Sequence, residues 1–409
     1  MRSSFAGKNI VVGVTGSIAA FKVAGWVSTM AKEEAQVSVI MTRSAREFIA
    51  PLTFAALSGN PVHGEMFDPA RAERMDHIAL GREADLVLVA PATADTIARL
   101  AGGLADDLLA TTVLAARAPV VVCPAMNSRM YLHPATQDNI ARLQQFGYQV
   151  LTPPAGMMAC KEEGPGRLPE WEDVQEVLLR ALTAPDLAGE SVLITAGPTR
   201  EPLDPARFLS NRSSGKMGYA LARTAYRRGA EVHLVSGPVA LPCPPGVQRV
   251  SVQTAREMHD AVFQVADTAT VIVKAAAVAD FRPAVEEREK VKKDRAGLSL
   301  ELIRNPDILY ELGQSRKAGQ ILVGFAAESS DLEAEGRKKL ATKNLDLIAV
   351  NNICSDTTGF ESDTNQILLI DGEGKVLLPM TGKEQTADMI WDRVVALRRQ
   401  RQDQSGGGR

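Results

Sequence analysis

The sequence predicts an α/β protein built from two Rossmann-like three-layer α/β/α domains with mainly parallel sheets. Short apolar runs alternate with amphipathic stretches of helical periodicity, and the runs lack the polar alternation of half-exposed strands. Continuous apolar strands separated by helices are typical of a parallel sheet covered on both faces. The pattern restarts near the middle of the 409 residues, a length that suits two domains.

The first half begins with a strand that ends in a turn of small residues, and a helix follows at once. Each later strand is again followed by a helical stretch, so right-handed crossovers are expected. The predicted strands of this half are residues 9–14, 37–41, 86–90 and 120–123, and its predicted helices are residues 18–31, 45–57, 94–100 and 135–146.

A short stretch rich in Ala, Pro and Gly at residues 183–189 predicts a domain boundary, because the strand–turn–helix pattern restarts just after it. We therefore expect a first domain over residues 1–186 and a second over residues 187–401. Residues 402–409 are polar and rich in glycine, which predicts a disordered tail. The second domain has predicted strands at residues 191–195, 231–235, 271–274, 321–325, 347–350 and 366–370, and a predicted helix at residues 219–228.

Composition and charge exclude several classes of protein. The net charge of −3 provides no basic surface for nucleic acid or anionic membrane. No apolar run reaches the roughly 18–20 residues of a membrane span, and the N-terminal residues lack the apolar stretch of a signal peptide. The four cysteines are scattered, without the spacing of a metal site or a disulfide framework. We therefore expect a cytoplasmic protein that binds neither nucleic acid nor membrane.

The turn after the first strand is a candidate phosphate site. Gly13 and Gly16 stand three residues apart, so the GxGxxG fingerprint is absent and a two-domain NAD dehydrogenase is disfavoured. A tight turn at a helix N-terminus, with Ser17 as the expected cap, favours the phosphate of a mononucleotide. A turn with only a structural role remains the alternative on this motif alone.

Polar clusters follow three more strands, at residues 42–45, 90–95 and 124–127, and the carboxyl ends of parallel strands meet at one edge of a sheet. His77 is a candidate base near neutral pH, with a structural histidine as the alternative. Cys160 lies in a Gly/Pro-rich stretch that suits a loop able to close over a pocket. An inert loop cysteine is the alternative interpretation there.

In order and spacing, residues 16–22, 91–95, 124–127 and 159–167, with the segment around His77, resemble the homo-oligomeric flavin-containing cysteine decarboxylases. The resemblance implies FMN as cofactor, in a redox-neutral cycle that oxidises a cysteinyl side chain, releases CO₂ and then reduces the enethiol. The FMN-binding residues that it implies are Gly16, Ser17, Ile18, Thr42, Ala45, Pro91, Ala92 and Thr93.

The same resemblance implies roles for three further residues of the first half. His77 is expected to assist oxidation of the substrate thiol. Asn127 is expected to hold the carboxylate that is lost, and a neutral donor suits a charge that disappears during the reaction. Cys160 is expected to protonate the enethiol from the closing loop.

In the second half, residues 213–216 read Ser-Ser-Gly-Lys, but Met217 follows the lysine, so the Walker pattern GxxxxGK[ST] is absent. A kinase or ATPase P-loop is therefore excluded, whereas a turn that presents backbone N–H groups to an anion remains. Asp280 follows a predicted strand. The charged run at residues 286–294 is either a solvated flap or a segment that brings Lys290 over a triphosphate.

Residues 191–360 look like the phosphopantothenate–cysteine ligases of the bacterial, CTP-using type. The resemblance implies that the phosphopantothenate carboxylate attacks the α-phosphate of CTP and that cysteine then displaces CMP from the acyl-cytidylate. It implies that Asn211 contacts the acyl-cytidylate, that Lys290 stabilises the first transition state and that Mg²⁺ accompanies the triphosphate. The role of Lys274 stays open. The implied cytidine and phosphate pocket consists of Ala276, Asp280, Lys290, Asn305, Pro306, Asp307, Ile308, Phe325, Lys339 and Lys343.

Together the two halves resemble the bifunctional phosphopantothenoylcysteine decarboxylase/phosphopantothenate–cysteine ligases of coenzyme A biosynthesis. The resemblance implies phosphopantothenate, cysteine and CTP as substrates and phosphopantetheine as product. It also implies a homo-oligomer, a dodecamer built from trimers of the first half and dimers of the second. The alternative is a flavin-binding regulatory subunit without turnover, and the presence of His77, Asn127 and Cys160 disfavours it.

Overall fold

The computed structural model of the chain describes residues 4–66, 75–158, 161–291, 299–328, 331–352 and 364–406. The chain divides into two compact units, which we call the first unit (Ser3–Thr183) and the second unit (Ala184–Arg409). Within the described ranges, no helix is both long enough and apolar enough to cross a membrane.

The first unit alternates strands and helices. Its strands are β1 (Asn9–Val14), β2 (Gln36–Met41), β3 (Leu86–Ala92), β4 (Val120–Pro124), β5 (Gln149–Val150), β6 (Ala155–Met157) and β7 (Glu163–Pro165). Its helices are α1 (Ala20–Lys32), a 3-10 helix (Arg43–Glu47), α2 (Pro51–Ser58), α3 (Asp76–Glu83), α4 (Ala94–Gly102), α5 (Leu108–Ala115), α6 (Ser128–Leu132), α7 (Pro134–Gln145) and α8 (Trp171–Leu182).

The main sheet of the first unit is parallel, in the order β2-β1-β3-β4-β5. Successive residues of β1 face opposite layers: Val12 packs with α1 and α8, whereas Val11 packs with α4, α5 and α7. Each such fully buried aliphatic side chain contributes roughly 1.5–3 kcal/mol to folding. The strand order reverses between β1 and β3, and ligands of doubly wound sheets bind at such a point.

Two local predictions for this unit are wrong in detail. The helix predicted over residues 45–57 is divided, because Ala50 precedes Pro51 and is held extended with ψ 141°. Helix α1 begins at Ala20 rather than beside Ser17, and no side-chain hydrogen bond caps it. The Ser17 hydroxyl instead accepts a long hydrogen bond from the Ala19 N–H at 3.4 Å, so it stiffens the turn before the helix.

The second unit has a larger sheet and two additional antiparallel strand pairs. Its strands are β8 (Ser191–Ala196), β9 (Arg200–Asp204), β10 (Arg207–Ser210), β11 (Glu231–Ser236), β12 (Gln248–Ser251), β13 (Val271–Lys274), β14 (Phe281–Pro283), β15 (Leu302–Arg304), β16 (Ile321–Glu328), β17 (Leu347–Asn352), β18 (Thr364–Asn365), β19 (Ile367–Asp371), β20 (Lys375–Leu377) and β21 (Thr381–Gly382). Its helices are α9 (Lys216–Arg227), α10 (Ala255–Val265), α11 (Ile308–Ser315), α12 (Leu332–Thr342) and α13 (Lys383–Gly406).

The eight strands of the larger sheet follow the order β12-β11-β8-β13-β16-β17-β19-β20. In this order the first six strands are parallel, and the last two, β19 and β20, pair antiparallel at one edge. The order reverses between β8 and β13, as it does between β1 and β3. The predicted fold class, two mainly parallel three-layer α/β units, is confirmed. The pairs β9–β10 and β14–β15, which follow β8 and β13 in the chain, were not predicted.

Helices α9 and α13 of the second unit are joined by a buried arginine near the end of α9. The Arg228 guanidinium donates to both oxygens of Asp186, at 2.8 and 2.7 Å, and to the Asp388 carbonyl at 2.9 Å. Asp392 pairs with it at 2.9 Å. The first residues of the unit are thereby held to its last helix.

The C-terminal prediction needs a correction. Helix α13 extends to Gly406, so residues 402–406 are helical rather than part of a disordered tail. Gln and Arg are good helix formers and allow the helix to continue past the packed part. Residues 407–409 lie outside the described ranges.

Candidate active sites

A cavity of about 350 Å³ opens in the first unit beside the ends of β1 and β4. Its walls are mostly apolar and many of them are exposed, so the cavity is a shallow slot. Two polar loops border it, the turn after β1 and the β6–β7 hairpin. The lining residues are Ser17, Ile18, Ala19, Phe21, Lys22, Ala125, Met126, Asn127, Met157, Met158, Gly166, Arg167 and Leu168.

A buried threonine joins the ends of the two strands at the reversal point. Thr15 Oγ1 donates to the Pro91 carbonyl at 2.6 Å and accepts from the Thr93 N–H at 3.1 Å. Thr93 in turn caps α4 by accepting from the Thr96 N–H at 3.3 Å. The predicted cofactor segments after β1 and β3 are therefore held in fixed positions relative to each other.

The residues at this edge fit a flavin mononucleotide. A Cβ on Gly16 would lie 2.5 Å from Cβ of Ser44, so only glycine lets the turn after β1 lie against the start of the 3-10 helix. The Thr42 hydroxyl accepts from the Ala45 N–H at 3.3 Å and caps that helix. Two adjoining turns suit a phosphate, and an apolar slot suits a flat ring system.

Asn127 follows β4 and caps the short helix α6. Its Oδ1 accepts from the Arg129 N–H at 2.8 Å, which orients the amide. Its Nδ2 donates to Oε2 of Glu162 at 2.7 Å. The amide nitrogen is thus already bound to a carboxylate, the group that it is predicted to hold in a substrate.

The other predicted residues of the first unit have different surroundings. His77 lies in α3 and is not among the residues that line the 350 Å³ cavity. Its neighbour Asp76 contacts Nδ1 of His63 at 3.0 Å, a pair that the sequence analysis missed. Ala45 and Ala92 are fully buried, and their contact with a cofactor stays a prediction. Cys160 lies outside the described residues.

Two adjoining cavities lie at the strand-end edge of the second unit. Cavity A, about 440 Å³, and cavity B, about 420 Å³, share Ala276, Val278, Asp280 and Phe325. Cavity A also contains Lys274, Ala279, Phe281, Arg304, Asn305, Pro306, Asp307, Ile308, Leu309 and Lys343. The remaining residues of cavity B are Asn211, Arg212, Ser213, Ser214, Gly215, Lys216, Met217, Gly218, Ala275, Ala277, Ala326, Ala327, Lys339, Asn351, Asn365 and Lys383.

Cavity A brings together the predicted nucleotide residues at the start of α11. Asn305 Nδ2 donates to the Ala279 carbonyl at 2.8 Å, and the Asn305 N–H donates to the Asp280 carbonyl at 2.9 Å. Asp307 caps α11 by accepting from the Tyr310 N–H at 3.0 Å. Both loops that form the cavity are therefore held by hydrogen bonds in which at least one partner is the backbone.

Lys274, whose role the sequence left open, lies in the wall of cavity A. The residue is 7% exposed, and its ammonium donates to the Ala276 carbonyl at 3.4 Å. Burial, and then repulsion from Lys343, lowers the pKa of Lys274 to about 7, although Asp307 and Asp280 act in the opposite direction. The cavity thus contains a group that titrates near neutral pH.

Cavity B is formed around the N-terminus of α9. Gly215 caps that helix, and the preceding serines lie in the turn for which anion binding was predicted. Asn211 Nδ2 donates to the carbonyls of Ala277 and Val278, at 3.2 and 3.1 Å, which joins this turn to the loop after β13. Lys339, paired with Glu328, faces the same space. The cavity thus combines a helix N-terminus with lysine side chains.

Sequence reasoning missed three residues that line cavity B, namely Asn351, Asn365 and Lys383. In the part of the chain that the structure describes, Oδ1 of Asn351 is buried and accepts no hydrogen bond. Asn351 lies near the end of a parallel strand, and that position was the signal available in the sequence.

Lys290 is exposed and does not line cavity A or cavity B. The neighbouring Val291 is anchored: its N–H donates to Oδ2 of Asp204 at 3.2 Å, and its carbonyl accepts from Arg207 at 2.6 Å. Burial raises the pKa of Asp204, but the hydrogen bonds from Ala206 and Val291 and the charge on Arg207 outweigh it and lower that pKa. At Val291 the flap is therefore anchored to a fixed carboxylate.

A buried threonine joins two strand ends in the second unit as well. Thr195 Oγ1, fully buried in β8, accepts from the Ala276 N–H at 3.2 Å.

Among the described residues, no cluster of three or more His, Cys, Asp and Glu side chains is arranged to hold a metal ion.

Two family profiles match the chain. The profile described as "Flavoprotein" matches residues 2–183, and "DNA/pantothenate metabolism flavoprotein C-terminal domain" matches residues 187–397. A coenzyme A biosynthesis bifunctional protein CoaBC from Vibrio cholerae is 46% identical over 95% of this chain and 98% of its own. The protein of the same description from Escherichia coli K12 is 45% identical over 96% of this chain and 98% of its own.

Among solved structures, the C-terminal domain of a coenzyme A biosynthesis bifunctional protein CoaBC is 40% identical, with a TM-score of 0.46, and covers 52% of this chain and 98% of its own. The Vibrio cholerae and Escherichia coli proteins are more than 40% identical to this chain along nearly its whole length. The similarity therefore extends over both units and over the candidate site of each. The chain belongs to the family of coenzyme A biosynthesis bifunctional proteins.

Proposed function

We propose that this chain is a bifunctional enzyme of coenzyme A biosynthesis with one reaction in each unit. The second unit, predicted as domain 187–401, ligates cysteine to phosphopantothenate at the expense of CTP. The first unit, predicted as domain 1–186, decarboxylates the phosphopantothenoylcysteine formed, giving phosphopantetheine. The observation that carries the proposal is that each unit has its own cavity at the edge where the parallel strands of its own sheet end.

In the first unit, FMN supplies the redox chemistry that turns the carboxylate into a leaving group. The protein's part is positioning. The turn at Gly16 and Ser17 would hold the phosphate, and the apolar slot beside Ile18 would contact the ring. Asn127 orients the substrate carboxylate with a neutral donor, which releases CO₂ without retaining a charge.

Two proton-handling roles in the first unit remain proposals carried by the sequence. His77 would accept or stabilise charge during oxidation of the substrate thiol. Cys160 would donate the proton that completes phosphopantetheine. The flavin half is proposed to assemble as trimers and the ligase half as dimers, together a cytoplasmic dodecamer, because the family resemblance implies it.

In the second unit, we place the cytidine in cavity A and the phosphates in cavity B. Cavity A has an apolar floor at Ile308 and Phe325, which suits a flat base. Cavity B has the N-terminus of α9 and Lys339, which suit a phosphate chain. Mg²⁺ would accompany the triphosphate.

Asn211 is suited to the second half-reaction. It lies between the two loops that border cavity B and would hold the acyl-cytidylate while the amine of cysteine attacks. Lys290, carried on the anchored flap, would reach the α-phosphate during the first half-reaction and stabilise charge that develops there.

The test uses the full-length protein and two point variants. The visible spectrum reports bound flavin, and mass spectrometry follows CMP and phosphopantetheine after addition of phosphopantothenate, cysteine, CTP and Mg²⁺. We expect Asn211→Ala to abolish CMP release but still to decarboxylate supplied phosphopantothenoylcysteine. Asn127→Ala should release CMP and accumulate the cysteine adduct. A colourless wild-type protein that releases no CMP would refute the proposal and favour the regulatory subunit.

A further inference from the structure

We propose that Lys274 is a base-positioning residue of the nucleotide site, which binds the pyrimidine in its protonated form and so couples nucleotide binding to proton uptake. This inference rests on the proposed function, because it takes cavity A to be the cytidine site.

The position of Lys274 in its strand directs the side chain to cavity A. In β13, Val271 and Val273 pack on the side of α9 and α13, whereas Ile272 packs on the side of α10, α11 and α12. Lys274 lies two residues beyond Ile272, so its side chain emerges on that second side. Cavity A opens there, between the start of α11 and the end of α12.

Charges of both signs surround Lys274, and they act in opposite directions on the equilibrium between its charged ammonium and its neutral amine. Lys343 and Arg304 are the other cations that line cavity A, and Asp280 and Asp307 are its anions. Asp307 is already paired with Lys343 at 3.1 Å. The recorded hydrogen bond of the Lys274 ammonium is the long one to the Ala276 carbonyl, at 3.4 Å.

A ligand group in cavity A would therefore decide the protonation state of Lys274. Cavity A has apolar walls at Pro306, Ile308, Leu309 and Phe325, which suit a ring, whereas the phosphate-binding features belong to cavity B. A pyrimidine such as cytosine offers ring acceptors, N3 and O2, to a donor. A hydrogen bond to the charged form favours that form, so binding raises the pKa of Lys274 above its value in the free protein.

The consequence is a pH dependence with a definite sign. In the free protein the pKa of Lys274 is about 7, so the side chain is already charged below pH 7 and binding takes up no proton there. Above pH 7 the free side chain is neutral and must gain a proton to bind. Affinity for the nucleotide therefore falls as pH rises, by up to about tenfold per unit, until the pKa of the complex is reached.

The experiment is titration calorimetry of CTP with Mg²⁺ on the full-length protein, without phosphopantothenate or cysteine. Buffers of different ionisation enthalpy report proton uptake. At pH 8 we expect the wild type to take up about one proton more than Lys274→Met, and at pH 7 we expect that variant to bind CTP about tenfold or more weakly. Lys317→Met is the matched control and should behave as wild type, because Lys317 pairs with Asp267 outside both cavities.

Three further readings complete the test. Inorganic tripolyphosphate should bind wild type and Lys274→Met equally, and an equal loss of both ligands would refute the assignment to the base. Thermal unfolding of Lys274→Met serves to check that the variant is folded. Lys274→Arg, which is charged at every pH used, should bind CTP without the extra proton. Equal proton uptake by wild type and Lys274→Met would overturn the inference while leaving the proposed function intact, whereas failure of the wild type to bind CTP would overturn both.

Discussion

The cavity of the first unit and cavity A of the second unit both lie where parallel strands end, but they differ in chemistry. The first is a shallow slot with walls such as Phe21 and Met157, which are 61% and 62% exposed. Cavity A contains charges of both signs: Lys274 is buried and Lys343 half-buried, whereas Asp280 and Asp307 are exposed. Where a cofactor supplies the redox chemistry, the protein mainly has to provide a cavity of the right shape. Where the ligand is a polyanion, the side chains of the site must themselves compensate its charge.

The two units nevertheless use the same device to hold their strand ends. Thr15 and Thr195 are both buried at the end of the first strand of their unit, and both bond to the loop after the neighbouring strand. The scaffold is shared and the side chains that project from it differ. Four predictions test this comparison.

The largest effect is expected from Gly166→Ala in the first unit. Gly166 has φ +136°, and a Cβ there would lie 2.2 Å from the Met126 carbonyl oxygen, so the β6–β7 hairpin must move away from Asn127. Decarboxylation should fall by about 100-fold or more while CMP release is unchanged. Gly25→Ala, with open space at its Cβ, is the control and should match wild type. Retained decarboxylation in Gly166→Ala would show that hairpin position is unimportant.

Lys274→Met should stabilise the second unit in the absence of nucleotide. Burial lowers the folded-state pKa of Lys274 to about 7, below the usual value for lysine, so the charged side chain destabilises the unit at low pH. That cost declines as pH rises from 7 towards 10, because the folded lysine loses its proton first. The gain should be on the order of 2 kcal/mol at pH 6 and smaller at pH 9. Denaturant unfolding at the two pH values measures it, and a gain independent of pH would contradict the burial argument.

The paired variants Thr15→Val and Thr195→Val compare the two scaffolds directly. Thr15 makes two recorded hydrogen bonds to the neighbouring loop and Thr195 makes one. Loss of a buried bond costs about 1–3 kcal/mol, so the first variant should lose more stability than the second. Each should weaken only the ligand of its own unit, flavin for Thr15→Val and CTP for Thr195→Val. Equal effects on both ligands would show that the units do not act separately.

The smallest effect is expected from Glu162→Gln. The Glu162 carboxylate accepts from Asn127 Nδ2, where the substrate carboxylate is proposed to bind, and therefore competes with it. Removing its charge should lower KM for phosphopantothenoylcysteine about two- to fivefold with kcat unchanged. Glu163→Gln, one residue further along the same hairpin, should leave KM unchanged. A lowered kcat in Glu162→Gln would instead assign this carboxylate a part in the chemistry.

Most strands of both sheets could be predicted from the sequence because each is a continuous apolar run, such as the residues of β1 and β8. The pairs β9–β10 and β14–β15 could not be predicted, since their segments contain Pro202 and Pro283 and carry no apolar run. Their pairing depends on loops that bring them together after β8 and β13. Register between distant segments is not a local property of the sequence.

The candidate sites likewise contain some features that the sequence predicts and others that depend on contacts between distant segments. That Asn127 and Asp280 line cavities could be predicted from their positions after strands, because parallel strands end at one edge of a sheet; their roles stay predictions. The pKa of Lys274 could not be predicted, because its neighbours Asp307 and Lys343 come from two distant parts of the chain. The contact between His63 and Asp76 likewise depends on a fold that neither residue indicates.

The contacts of Arg228 have a practical consequence for cutting the protein into its parts. A fragment that begins at Leu187, where the second family profile starts, omits Asp186 and both of its bonds to the buried guanidinium. Asp392 and the Asp388 carbonyl would remain as partners of the guanidinium. The loss should therefore be a part of the roughly 3–5 kcal/mol that a wholly uncompensated buried charge costs. An expression fragment of the ligase half should therefore begin at Ala184 or earlier, so that the carboxylate is included.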